Sequence, residues 1–233
     1  MTLKMYDLAG AEPQRRFSPY CWRTRLALAH KGLAVETIPW RFVDKAAIAP
    51  SSQGRVPVLV DGDRWIADSW TIAVHLEEAY PDRPSLFGGG GPALSRFCSA
   101  CADDLVVRIT PFVLRDILDR LDEGDRDYFR ASREKRLGAT LEDVVADREA
   151  KAPAFRAGLA PFRATLRDQP FFGGERPMYA DYALFGPFQW ARCISPFQIL
   201  AADDPVAAWR DRMLDLFGGL ARSAPGYDLP AAG

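Results

Sequence analysis

The sequence predicts two units of different class: an α/β unit built on a mixed four-stranded sheet, followed by an all-helical bundle. Three observations carry this reading. Up to about residue 84 short apolar or alternating runs give way to helical periods and back again. A glycine run, Gly88 to Gly91 with Pro92 after it, is too flexible to belong inside an element and reads as a linker. Beyond it the strand signals vanish and only helical patterns remain. The expected division is 1–84 for the α/β unit, 85–92 for the linker and 93–233 for the bundle. A chain of 233 residues is long enough to bury a proper core in this arrangement.

Residues 3–8 and 56–60 are strand-like, with 34–40 a third run of the same kind. Between the first and the third, 19–31 reads as a helix: Ser18 stands at the cap position, Pro19 in the first turn and Gly32 just past the end. Asp61-Gly62 is a hairpin turn signal between Val58-Leu59-Val60 and Trp65-Ile66-Ala67. Ser69 then opens a helix that ends near Tyr80 and Pro81. Strand, helix, strand, weak helix, strand, strand, helix is a βαβ unit with a hairpin and a closing helix, the layout of a thioredoxin-like domain. In the second unit helical patterns run over 93–122, 126–148, 153–168, 178–194 and 205–222.

Basic and acidic residues nearly balance, 30 against 31, so no summed field gathers nucleic acid or an anionic membrane surface. Partners are expected to be small molecules or protein. No apolar run reaches the roughly 20 residues needed to span a bilayer. The four cysteines, Cys21, Cys98, Cys101 and Cys193, are sparse for a secreted disulfide framework, and a reducing cytoplasm fits them. Cys98-Ser99-Ala100-Cys101 has half of a zinc-ribbon spacing without a second pair, so no metal is expected. His30 and His75 read as packing or dipole-facing residues, and the aromatic segment 185–197, with Trp190, as core.

Three short stretches carry chemistry. In Phe17-Ser18-Pro19-Tyr20-Cys21-Trp22-Arg23 a loop enters the first helix, where a hydroxyl, free N–H groups and the positive dipole end suit a sulfur anion; the alternative is that Ser18 merely caps the helix. Cys21 falls where the second thiol of a C-x-x-C motif would be, but with serine at the first position internal disulfide cycling is impossible, and Cys21 reads as a buried helix residue. In Gly54-Arg55-Val56-Pro57-Val58 a cis Val56-Pro57 bond would turn the Val56 backbone outward toward a peptide-like ligand; the alternative is an ordinary edge proline. Asp68-Ser69 at a helix start can hold a carboxylate and an ammonium, or serve only as a cap.

Taken together the three stretches ask for one ligand with a thiol, a peptide unit and an α-amino-acid head, which glutathione has. In this order, S-P-Y-C-W-R, R-V-P-V-L and A-D-S-W-T-I make the chain resemble the glutathione transferase family. The resemblance implies Ser18 as the hydroxyl that stabilises the thiolate, Val56 pairing its main chain with the ligand, Pro57 as cis-proline, and Asp68 with Ser69 gripping the γ-glutamyl end. The glycyl carboxylate is expected on Arg41, Lys45 or Gln53, with no choice made among them. Ala180-Asp181-Tyr182-Ala183 resembles the family's capping-box segment, but Met178 occupies the cap position and leaves Asp181 to stabilise the helix start alone. A homodimer is also implied.

Within the family the chain is similar to the bacterial lignin β-aryl-etherase group. The supporting segments include Ser18-Pro19-Tyr20, Tyr80-Pro81-Asp82-Arg83-Pro84, Asp125-Arg126-Asp127-Tyr128, Leu141-Glu142-Asp143-Val144, and Trp209 with Asp215-Leu216-Phe217. The expected chemistry is attack by a glutathione thiolate on an apolar, aromatic electrophile, with β-aryl ether cleavage as the specific form. Phe17 and Phe112 are expected in the second-substrate pocket. An isomerase or dehalogenase using the same thiolate, and a non-catalytic binding or scaffold protein, are the alternatives.

Overall fold

The computed structural model describes residues 3–228; residues 1–2 and 229–233, at the outer ends of the two expected units, lie outside the described residues. The first part contains β1 (Leu3–Leu8), α1 (Pro19–His30), β2 (Val35–Trp40), a 3-10 segment (Lys45–Ser51), β3 (Val58–Asp61), β4 (Arg64–Ala67) and α2 (Ser69–Ala79). The sheet order is β2-β1-β3-β4. β1 runs parallel to β2, with Met5 beside Thr37, and antiparallel to β3, with Met5 beside Leu59. β3 and β4 form the hairpin expected at Asp61-Gly62, where Gly62 takes φ +61°, a turn conformation that suits a residue without Cβ.

α1 buries Cys21, Trp22, Leu26, Ala27 and Leu28, and Arg23 and Thr24 as well, because it is covered from two sides. The second cover is α8 (Tyr179–Ile194), whose residues are all buried and which packs against both α1 and α3 (Gly91–Val113). The two helices touch at backbone distance: a Cβ on Gly186 would stand 2.3 Å from the carbonyl oxygen of Pro19. α8 also ties down both helices of the sheet unit. Tyr182 Oη lies 2.6 Å from His30 Nδ1 at the end of α1, and Tyr179 Oη donates to the Ser69 carbonyl at 2.9 Å at the start of α2.

The remaining helices are α4 (Glu123–Leu137), α5 (Leu141–Val145), α6 (Arg148–Ala157), α7 (Ala160–Asp168) and α9 (Pro205–Gly219). Three of the expected long helices are broken, each for a local reason. The 93–122 pattern ends at Val113 and continues as a 3-10 segment, Arg115–Arg120, after Pro111 has withdrawn an N–H from the ladder. The 126–148 pattern stops at Gly138, φ +68°, and restarts where Thr140 Oγ1 accepts from Asp143 N at 3.1 Å. The 153–168 pattern begins earlier, at Arg148, and turns at Gly158 and Leu159 into α7. In α9, Phe217 and Gly218 adopt φ +54° and +70°, which ends regular helix before residue 222.

The glycine run is not left between elements. Gly88–Gly90 form a 3-10 turn and Gly91 opens α3, with Ser85 Oγ accepting from the N–H groups of Phe87 and Gly88. Among the described residues no helix is long and apolar enough to cross a membrane.

Candidate functional site

Strand register brings the three chemistry-bearing stretches to one end of the sheet, where β1 and β4 finish and β3 begins. Tyr6 pairs with Val58, so the end of β1 at Leu8 lies beside Val56. Val58 pairs with Ala67, so Pro57 lies beside Asp68 at the start of α2. The loop from β1 returns to the same end through Phe17 N, which donates to Leu8 O at 3.3 Å, and delivers Ser18 to the head of α1. The Val56-Pro57 peptide bond is cis.

Ser18 is extended, φ −69° and ψ 125°, and only 3% exposed. Its Oγ accepts from Cys21 N at 3.2 Å, a cap for α1 that uses the oxygen and not the hydroxyl hydrogen. Capping and anion binding are therefore compatible at this residue. Cys21 is fully buried, and burial pushes its thiol well above the ordinary cysteine range, so it is no nucleophile.

At the other end Asp68 has φ +77°, a conformation that costs a non-glycine residue energy and recurs at functional sites. Its Oδ1 accepts from Trp70 N and Thr71 N at 3.0 and 3.1 Å, and the side chain remains exposed. Ser69 is 2% exposed and fixed from below by Tyr179.

A cavity of about 680 Å³ opens in front of Ser18. Phe17, Trp40, Val56 and Lys45 line it from the sheet side, and Thr110, Leu114, Tyr128 and Trp190 from the helices. Pro57, Asp68 and Ser69 do not line it, but share its edge through the register described above. Of the three residues considered for a carboxylate, Lys45 lines the cavity. Its Nζ donates to Gly54 O at 2.7 Å and stands 4.8 Å from the Trp40 ring centre. Arg41 is turned away and paired with Asp122 and Asp44, while Gln53 is half-buried outside the cavity lining.

Phe112 is not a pocket residue. It is buried, stacked on Phe197 at 5.6 Å and against Phe155 at 5.3 Å. Thr110 and Leu114, four residues apart on one helix face, line the cavity, and Phe112 between them points the other way. Trp190, read from its periodicity as core, does line the cavity although it is only 6% exposed.

Sequence reasoning missed Arg55, Arg133 and Arg136, all of which line the cavity. Arg55 stood in plain view beside Val56, whereas nothing local in α4 marks Arg133 and Arg136. His30 and His75 are structural: burial holds the His30 imidazole below its ordinary basicity, and His75 Nε2 lies 2.8 Å from Asp61 Oδ2.

Comparison with known proteins identifies the family of both units. Residues 14–84 match the family model described as glutathione S-transferase, N-terminal domain, and 93–215 match the one described as glutathione S-transferase, C-terminal domain. A probable glutathione S-transferase, GSTU6, of Oryza sativa subsp. japonica is 27% identical over 209 residues, covering 84% of this chain and 80% of the relative. The crystal structure of glutathione transferase GSTFuA3 from Phanerochaete chrysosporium superposes with a TM-score of 0.75 at 27% identity, over 94% of this chain and 92% of that one. The glutathione S-transferase CsGST63524 of Ceriporiopsis subvermispora, solved in complex with glutathione, gives 0.74 at 26% identity, over 96% and 95%.

Proposed function

The chain belongs to the glutathione S-transferase family, and from that premise we propose that it holds glutathione across the end of the sheet and turns its sulfur on an aromatic electrophile. One observation carries the reading: the Ser18 hydroxyl is buried at the head of α1 and lines an aromatic-walled cavity, and the cap it makes there uses its oxygen as acceptor rather than its hydrogen. Ser18 donates to the glutathione thiolate, and the helix dipole adds to the attraction. A free thiol near pKa ~8.5 is only a few per cent ionised at pH 7, and lowering it by about two units corresponds to ~2.7 kcal/mol.

In this reading the backbone of Val56, before cis Pro57, pairs with the peptide part of the ligand. The hydroxyl and N–H of Ser69, at the head of α2, hold the γ-glutamyl carboxylate, and the exposed Asp68 carboxylate, whose Oδ1 caps α2, faces its ammonium. Lys45 meets the glycyl carboxylate. The protein acts in the cytoplasm, which suits four cysteines that form no disulfide. It acts as a homodimer, to which the exposed Leu94 and Phe97 at the start of α3 would contribute.

The specific reaction is β-aryl ether cleavage. The thiolate sulfur forms a bond to the carbon bearing the aryloxy group, the carbon–oxygen bond breaks, and the phenolate leaves with the electron pair and then takes a proton. A phenol's pKa of ~10 makes that leaving group tolerable once the attack is aligned. Incubation with glutathione and a fluorogenic β-aryl ether should release phenol and thioether in equal amounts. Turnover of aryl halides or epoxides with none of the ether would instead mark a general transferase.

A further inference from the structure

The cavity in front of Ser18 carries four cations, Lys45, Arg55, Arg133 and Arg136, and no carboxylate. Among the described residues none of the four is ion-paired; nearby carboxylates are engaged elsewhere, Asp122 by Arg41, and Glu134 and Glu142 by Arg130. Lys45 and Arg55 come from the sheet unit, whereas Arg133 and Arg136 stand one turn apart on α4.

Arg133 is not a mobile surface charge. Its guanidinium lies 4.6 Å from the Phe129 ring centre and 5.2 Å from that of Phe42, and it donates to Ser132 Oγ at 2.9 Å. Stacking of this kind fixes the plane of the donor fork. Burial, together with the adjacent Arg136 and Arg55 cations, lowers its basicity. Like charges have been brought together in a half-enclosed space with nothing opposite them, an arrangement that an incoming anion relieves.

Glutathione bound as proposed above uses Lys45, with Arg55 beside it, for its glycyl end, and leaves the α4 pair facing the rest of the cavity. Resting on that reading, we propose that Arg133 and Arg136 form an anion subsite and that the second substrate is an aromatic electrophile bearing a carboxylate. The ring lies against the aromatic walls while the planar carboxylate accepts from the two guanidinium groups. The substrate is thus amphiphilic rather than wholly apolar, and an uncharged aromatic leaves both arginines unanswered.

The test needs no turnover. Binding of S-benzylglutathione and of S-(4-carboxybenzyl)glutathione is measured by calorimetry at low and at high salt. The carboxylated conjugate should bind about 10- to 100-fold tighter at low salt, the range of a charge-assisted hydrogen-bonded pair, and the ratio should shrink as salt rises. Arg133→Gln with Arg136→Gln should bring the ratio near one. Because Arg133 also packs on Phe129, the exposed Arg136→Gln alone is the second variant, and it should lower the ratio about three- to tenfold. Equal affinity of the two conjugates for the wild-type protein overturns this inference and leaves the glutathione reading standing. Failure of both to bind overturns the two together.

Discussion

Trp209 Nε1 donates a 3.0 Å hydrogen bond to Asp181 Oδ1, joining α9 to the first turn of α8. Three backbone groups converge on the same carboxylate: Phe172 N on Oδ1 at 2.7 Å, and Gly173 N and Met178 N on Oδ2 at 2.9 and 3.0 Å. Both oxygens are filled by donors, so Asp181 ties the loop before α8, including the N–H of the cap residue Met178, to the first turn of the helix. Asp181→Asn turns an amide NH2 against two of these donors, and Asp181→Ala strands all four. Thermal unfolding should show a loss of about 3 kcal/mol or more for either variant, against about 1 kcal/mol for Trp209→Phe.

Ser18 acts through a hydroxyl that already caps α1, so its removal should separate two effects. Ser18→Ala is expected to cost about 1 kcal/mol of stability through the lost cap and roughly 10- to 100-fold in kcat/KM through the lost donor to the thiolate. The absorbance titration of bound glutathione should move toward that of the free thiol. Cys21→Ser should leave that titration in place. An inactive Cys21→Ser beside a mildly affected Ser18→Ala would show that the thiolate's partner has been misassigned.

Lys45 and Arg41 are four residues apart and face different tasks. Lys45→Gln should raise KM for glutathione about tenfold with little change in kcat, the signature of lost ground-state binding. Arg41→Gln breaks the pairs to Asp122 and Asp44 on the far side of the loop, and steady-state kinetics should find KM for glutathione unchanged.

Gly186 allows α8 to lie directly on α1. Gly186→Ala would push a methyl group to 2.3 Å from the Pro19 carbonyl, a backbone atom that cannot rotate aside. The helices must separate, at a cost of about 1–3 kcal/mol. Since Pro19 follows Ser18, glutathione affinity should fall with stability; chemical denaturation and calorimetry on one preparation test both.

His30 is buried, and its basicity is lowered by that burial. Its neutral Nδ1 is available to accept from Tyr182 Oη. The unfolded chain therefore takes up the proton at a higher pH than the folded one. The stability His30 contributes is complete above the unfolded value of ~6.5 and is lost as pH falls through it toward the lower folded value. Melting temperature should drop less between pH 7.5 and pH 5 in His30→Gln than in the wild type, and equal slopes would rule out this linkage.

The sequence by itself determined what depends on neighbours along the chain. The cap and proline that begin α1, the glycine turn between β3 and β4, and the apolar periods of each strand are local, and each appears close to its expected place. The ordered trio around Ser18, Val56 and Asp68 was legible for the same reason: each stretch carries its own backbone chemistry. Tertiary structure alone decided what depends on which face of a helix meets which other element. It put Phe112 into an aromatic stack, against its expected place in the pocket, and Trp190 at the cavity wall, against the reading of its periodicity, because burial is set by the partner surface and not by spacing. It separated Lys45 from Arg41 and Gln53. It also carried Arg133 and Arg136 across about eighty residues of chain to the cavity that Val56 lines, a charge arrangement that exists only once α4 has folded over the end of the sheet.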